Sequence, residues 1–224
     1  MAPQILISFD GTDNDYDALA LGRLFARAGG EVSIAYVRHS QESERHREEL
    51  AHEEAARLLD RGAAWIGLPD VPRHVVVSAS TSEGLRALAA EHGADVIVFG
   101  SEYRTAPGHI APQVSTRRLL ERSSTAIAIA PARLQDRSDA RLGRVVVLDG
   151  DQDDAALQTA RSLAGDRAGH GDQVDLLVIG SRADARVGNV QISSASERRI
   201  EEATSAVLIL PRGRGVAFEA PVTA

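Results

Sequence analysis

Several groups of residues in this 224-residue chain have the types and spacing that chemistry requires. Asp10 ends a short apolar run and is followed by Gly11 and Thr12. Gly100 and Gly180 each end another apolar run and precede a serine. A glycine at such a place lets the backbone turn sharply or lets a ligand approach the main chain. Asp149, Asp151 and Asp153 alternate as the first ligands of a calcium loop do, but Asp154 stands where the loop glycine belongs and Ala160 where the closing Glu belongs. His46 and His52 sit among Glu48, Glu49, Glu53 and Glu54. The two histidines are six apart, on different faces of a helix. Glu48 with His52 supplies only two ligands, so the segment reads as a solvated charged helix rather than a metal site. The chain has no Cys, which excludes disulfides and thiolate metal sites, and no Lys, which excludes a Walker A lysine, a Schiff base and a Ser-Lys pair.

The elements that must position these residues are written twice. Asp95-Val-Ile-Val-Phe-Gly-Ser101 returns eighty positions later as Asp175-Leu-Leu-Val-Ile-Gly-Ser181. The offset then holds without a gap: Gly108 answers to Gly188, Arg118 to Arg198, Glu121 to Glu201, Ala126 to Ala206 and Pro131 to Pro211. The unit reads as buried strand, Gly-Ser turn, loop, amphipathic helix, second buried strand and proline stop. Unbroken apolar runs such as Val96–Phe99 suit a parallel strand covered on both faces, and the intervening helix supplies the crossover.

In order, the chain reads as a strand over Gln4–Phe9, a helix capped by Thr12 or Asp13, a strand over Val32–Val37, a charged helix over His39–Gly62, a strand over His74–Val77, a helix over Ser82–His92 closed by Gly93, and the first block. Residues 1–132 thus form a complete doubly wound parallel α/β domain. Residues 133–143 read as a linker. Residues 144–212 restart with Arg144–Gly150, yet only 31 positions separate Asp149 from Gly180, against 90 between Asp10 and Gly100. The middle strands are missing, and this truncated copy is expected to lean on the first. Residues 213–224, rich in small residues, read as a flexible tail.

Formal net charge is −7, which argues against nucleic acid as a partner. No signal peptide or membrane span is expected, and the absence of cysteine fits a cytoplasmic protein.

With these residues in view, the chain resembles the universal stress protein family. The resemblance rests on the strand ending in Asp10-Gly11-Thr12, on Gly93-Ala-Asp-Val-Ile-Val-Phe-Gly-Ser101, on the Ser-x-x-Arg-Leu-Leu helix before Ala126–Pro131, and on Ser194-Ala-Ser-Glu-Arg198. It implies an adenine nucleotide alpha hydrolase-like (Rossmann-like) sheet of order 3-2-1-4-5, with a truncated second copy. It also implies dimers that pair through the last strand, which a tandem chain could make within itself. Thr125–Ala130 and Ala206–Leu210 are therefore expected to face each other across a pseudo-two-fold. A protein partner and a further homodimer stay open.

Family members that bind ATP carry Gly-x2-Gly-x9-Gly-Ser/Thr after the fourth strand, where backbone N–H groups wrap the phosphates. The resemblance implies a nucleotide site at Asp10, Gly11, Val37, Phe99, Gly100, Ser101, Gly108, Ser115 and Thr116. Departures from the pattern are Tyr103 in place of the second glycine and Gln113-Val114 in place of the last pair. Tyr103 is expected to fill the phosphate volume. In the second copy Asp149 and Gly180 match, Ala183 replaces the second glycine, and Ser193-Ser194 keeps hydroxyls. His109 beside Gly108 could meet an anion or simply be an exposed loop residue. Asp149-Gly-Asp151 resembles the nucleophile loop of haloacid dehalogenase-like phosphatases, whose later lysine is absent, and a strand end with acids in a helix's first turn is the preferred reading. The leading expectation is a non-catalytic stress-response or regulatory protein with a degenerate nucleotide site and no metal. The alternative is an ATP- or AMP-binding member with slow or no hydrolysis.

Overall fold

The structure, a computed structural model, describes residues 1–39, 45–121, 123–148, 154–164 and 174–218, without the side chains of 45–51. Asp149, Asp151 and Asp153, and the side chains of His46, Glu48 and Glu49, weighed above, therefore lie outside what is described. Among the described residues no three His, Cys, Asp or Glu side chains gather as a metal would need. No helix among them is long and apolar enough to cross a membrane.

The strands are β1 (Gln4–Ser8), β2 (Glu31–His39), β3 (Arg73–Ser78), β4 (Val96–Gly100), β5 (Ala126–Ala130), β6 (Val145–Val147), β7 (Leu176–Ile179) and β8 (Ala206–Ile209). The helices are α1 (Asp13–Arg27), α2 (Arg45–Ile66), α3 (Thr81–His92), α4 (Val114–Leu120), α5 (Asp154–Ala164) and α6 (Ser194–Glu202). All eight strands join one sheet in the order β3-β2-β1-β4-β5-β8-β7-β6. The first five keep the order 3-2-1-4-5 and are parallel throughout. β6, β7 and β8 are also parallel to one another. At the junction β5 meets β8 antiparallel, with Ile127 opposite Ile209 and Ala128 opposite Leu208.

Side chains alternate across the pleat, so each strand feeds two cores. In β5, Ala126, Ala128 and Ala130 face the core under α1, α2 and α5, whereas Ile127 and Ile129 face the one under α3, α4 and α6. Small residues on the first face leave room for Leu19, Leu21 and Phe25 of α1.

The repeat seen in the sequence is repeated in hydrogen bonds. Ser101 Oγ donates to Ala130 O and Ser181 Oγ to Leu210 O, both at 2.7 Å. Gly108 N donates to Ala132 O, and Gly188 N to Arg212 O; both glycines have φ of 82°. Asp95 accepts from Gln4 N at the start of β1, and Asp175 from Arg144 N just before β6. The same side chains therefore fasten corresponding strands in each copy.

Three expectations change. β2 runs on to His39 and α2 begins at Arg45, because β2 keeps pairing with β3 as far as His39–Ser78. The segment after β5 is anchored rather than free: it forms a 3-10 turn at Leu134–Asp136, and Asp17 of α1 accepts from Arg133 N and Gln135 N, both at 2.9 Å. The expected tail is also docked as far as Phe218. Val216 N donates to Thr159 Oγ1 and Phe218 N to Ser162 Oγ on α5, while Phe218 stacks on Phe25 of α1 at 5.4 Å. Composition hides this because two buried apolar residues suffice to hold a short strap. Residues 219–224 lie outside those described.

Candidate functional site

The crevice at the C-terminal ends of β1 and β4 is where open α/β sheets hold ligands, at the point where strand order reverses. Asp10 and Gly11 leave β1 there, and Gly100 and Ser101 leave β4. The turn after β1 is built around a carboxylate pair. Oδ2 of Asp15 accepts from Asp10 N (3.0 Å), Thr12 N (3.3 Å) and Thr12 Oγ1 (2.8 Å), which fixes the first turn of α1. Burial, then its hydrogen bond to Asp10 and the Asp10 charge, pushes the Asp15 carboxyl up to about 8. Asp10 is exposed and is lowered; burial opposes that shift, and hydrogen bonds from Asp15 and Thr12 outweigh it. The pair thus holds one proton and one charge near neutrality.

Gly100 has a packing reason of its own. A Cβ there would fall about 1 Å inside the 3.0 Å floor of real Cβ contacts, against the backbone oxygen of Asn14. The N-terminus of α1 therefore rests directly on the strand end. Asn14 Nδ2 donates to Ser101 O at 2.8 Å, and Gln113 Nε2 donates to Gly100 O at 3.2 Å. Two carboxamides thus close over the turn that a phosphate would approach.

Five of the loop's own N–H groups are engaged. Glu102 N donates to Ala111 O, Thr105 N to Glu102 O, Gly108 N to Ala132 O, His109 N to Ala106 O and Ala111 N to Ser101 Oγ. A phosphate cradle needs several such donors turned toward one point.

The site residues expected from sequence separate accordingly. Asp10, Gly11, Gly100 and Ser101 come together at the crevice. Ser101 is fully buried and fastens the loop to β5. Val37 and Phe99 belong to the core under α3 and α4. Gly108 serves the far end of the loop. Thr116 is fully buried, and its hydroxyl has no partner among the described residues. Ser115 is half-buried on α4. Tyr103 is 76% exposed and lines a small cavity with Asp13 and Asn14, and Val114 is 70% exposed. Asn14 was missed by sequence reasoning, since nothing local marks a residue that acts through a strand 87 positions away. His109 is exposed.

The loop after β7 is engaged in the same manner. Arg182 N donates to Gln191 O, Gly188 N to Arg212 O and Gln191 N to Ser181 Oγ. The hydroxyl of Ser193 caps α6 by accepting from Ser196 N at 3.1 Å.

Sheet order, crossover helices and ligand crevice define an α/β protein of the adenine nucleotide alpha hydrolase type. The sequence model of the universal stress protein family matches residues 1–131, and the chain belongs to that family. A universal stress protein from Archaeoglobus fulgidus DSM 4304 superposes with a TM-score of 0.69 at 16% identity, over 94% of this chain and 98% of that one. A functionally unknown protein from Pseudomonas aeruginosa PAO1 superposes with a TM-score of 0.54 at 12% identity, over 95% and 93%. At such identities the likeness is one of fold, and it extends over nearly the whole chain. No curated protein matches the sequence.

Proposed function

We propose that this chain is a non-catalytic universal stress protein whose nucleotide crevice is degenerate, and that it acts in the cytoplasm by binding another ligand or a protein partner. One observation carries the reading: the turn after β4 is covered by the carboxamides of Asn14 and Gln113, while five of the loop's N–H groups bond within the loop or to the chain after β5. A triphosphate drawing on those five donors would have to break their present bonds, at roughly 1 kcal/mol or more for each group left unpaired. The antiparallel meeting of β5 and β8 supports the further reading that residues 1–132 and 144–212 form an internal pseudo-dimer.

Isothermal titration of the full chain with ATP, and separately AMP, each with Mg2+, tests the proposal. No saturable heat is expected up to 1 mM ligand. A dissociation constant in the micromolar range would overturn it in favour of a nucleotide-binding member. ATP hydrolysis above the buffer rate would overturn the non-catalytic part.

A further inference from the structure

The junction of the two copies has a local two-fold. β5 pairs with β8 as Ile127 with Ile209, Ala128 with Leu208 and Ile129 with Val207. Exchanging residues by the eighty-position repeat turns this set of pairs into itself, so the axis passes between Ala128 and Leu208 and stands across the sheet. α4 and α6 cover the junction on one face, and the axis sets them antiparallel. Val190 N donates to Ser123 O, which puts the chain entering α6 beside the end of α4. By the same axis the chain entering α4 lies beside the end of α6. Between the two helices a cavity of about 360 Å3 stays open, a size that suits a small organic molecule. Its floor is Leu120 and the equivalent Ile200, both buried, with Pro112 and the equivalent Ile192 toward its two ends.

Charge breaks this symmetry. At one end Arg117 donates from Nε to Pro112 O at 3.2 Å and shares the rim with Glu201. At the other end Glu197 stands where the axis would put a second arginine, and it shares the rim with Glu121. Neither Glu121 nor Glu197 is in an ion pair among the described residues, and Arg199 of α6 pairs with Glu202 instead, at 3.7 Å. Glu121 is also the C-cap of α4, where the helix dipole disfavours a carboxylate. Two like charges gathered beside an apolar floor are unfavourable, and a cation between them offsets that cost. At one end of the groove the chain supplies a cation itself, in Arg117; at the other it supplies none.

We propose that the groove binds a small organic ammonium ion, with the charged nitrogen between Glu121 and Glu197 and an apolar body lying on Leu120 and Ile200. The acids alone would accept any cation; the floor selects one that carries apolar surface. The site needs both copies, and it stands whether or not the β4 crevice takes nucleotide.

The test is calorimetric titration of the full chain with phenethylamine at neutral pH. Phenylpropionate, with a similar body and the opposite charge, and ethylamine, with the charge and almost no body, are the comparators. Phenethylamine should bind with a dissociation constant of about 0.1 mM, and at least about tenfold tighter than either comparator. Glu197→Gln and, separately, Glu121→Gln should each weaken it about tenfold, and Glu197→Arg, which restores the residue of the first copy, should abolish it, all with unchanged circular dichroism. In methyl and amide NMR spectra the largest shifts on adding phenethylamine should fall on Ile192 and Ile200. No binding at about 5 mM, a weaker grip than about 3 mM, equal binding of phenylpropionate, or indifference to both Gln variants would refute the site. Largest shifts at the amides of Asp10, Gly11 and Thr12 would place the amine in the β4 crevice and refute it equally.

Discussion

Replacing Gly100 by Ala separates a glycine kept for packing from one kept for a ligand. The added methyl would lie about 1 Å too close to the carbonyl oxygen of Asn14. That neighbour is backbone in the first turn of α1, so no flexible side-chain tip can swing away. The strand end and the helix start must move apart, which loosens the Asn14 and Gln113 bonds to the same turn. Overpacking of this kind costs about 1–3 kcal/mol, and the rigid neighbour puts the upper end in view, about 3 kcal/mol. That is a change of about two powers of ten in the folded-to-unfolded ratio. With a urea m-value of about 3 kcal/mol/M, the unfolding midpoint should fall by about 1 M. Gly67→Ala is the comparator: its φ is 78° but nothing lies within 4 Å, so backbone strain alone acts. It should cost about 1–2 kcal/mol. If Gly100→Ala unfolds at the wild-type urea concentration, the packing account of this glycine fails, and ligand approach becomes its explanation.

The remaining predictions concern the parts that hold the crevice and the strap. Asp15 has a folded carboxyl pKa of about 8 against about 4 when unfolded, so between those values the folded chain holds a proton that the unfolded chain has lost. Stability should therefore fall as pH rises from about 4 to about 8; Asp17, also raised by burial, acts in the same direction. Urea midpoints at pH 5.5 and 8.5 should show this, with a shallower slope in Asp15→Asn, and a wild-type midpoint higher at pH 8.5 would refute it. Phe218→Ala removes a ring that is 4% exposed and stacked on Phe25, and should cost about 3 kcal/mol by chemical denaturation; a loss under about 0.5 kcal/mol would mean that the strap is not docked. Ser101→Ala and Ser181→Ala each delete a buried hydroxyl in the same pair of bonds, and should destabilise alike, by about 1–3 kcal/mol. Thermal melts differing by more than about 2 kcal/mol between the two would contradict their structural equivalence.

What could be read from the chain alone was whatever is local. Unbroken apolar runs marked β4, β5, β7 and β8, and Gly93 at φ 65° closed α3 where its position suggested. The end of β2 was misplaced because Arg38 and His39 are polar, while the pairing that extends the strand comes from β3. Contacts between distant positions were invisible. Asp17 grips Arg133 N across 116 positions, and Phe218 finds Phe25 on another helix. The same limit governed the crevice. Gln113 stood out as a departure from the glycine pattern, but its role depends on where its amide reaches. Tyr103 was given the role of filling the phosphate volume on size alone, whereas its place beside Asn14 in the wall of a small cavity depends on the fold.

The antiparallel junction of β5 with β8 has a consequence for how the molecule could work. Since β4 runs with β5 and β7 runs with β8, the loops after β4 and β7 emerge at opposite ends of the sheet. Val190 N donates to Ser123 O, which places the later loop beside the entrance of β5 rather than its exit. Between those ends the two copies share one groove, lined by Pro112, Arg117 and Leu120 from the first and by Gln191, Ile192 and Ile200 from the second. A single chain therefore turns one loop toward each end of the sheet and keeps a jointly built groove on the face between them.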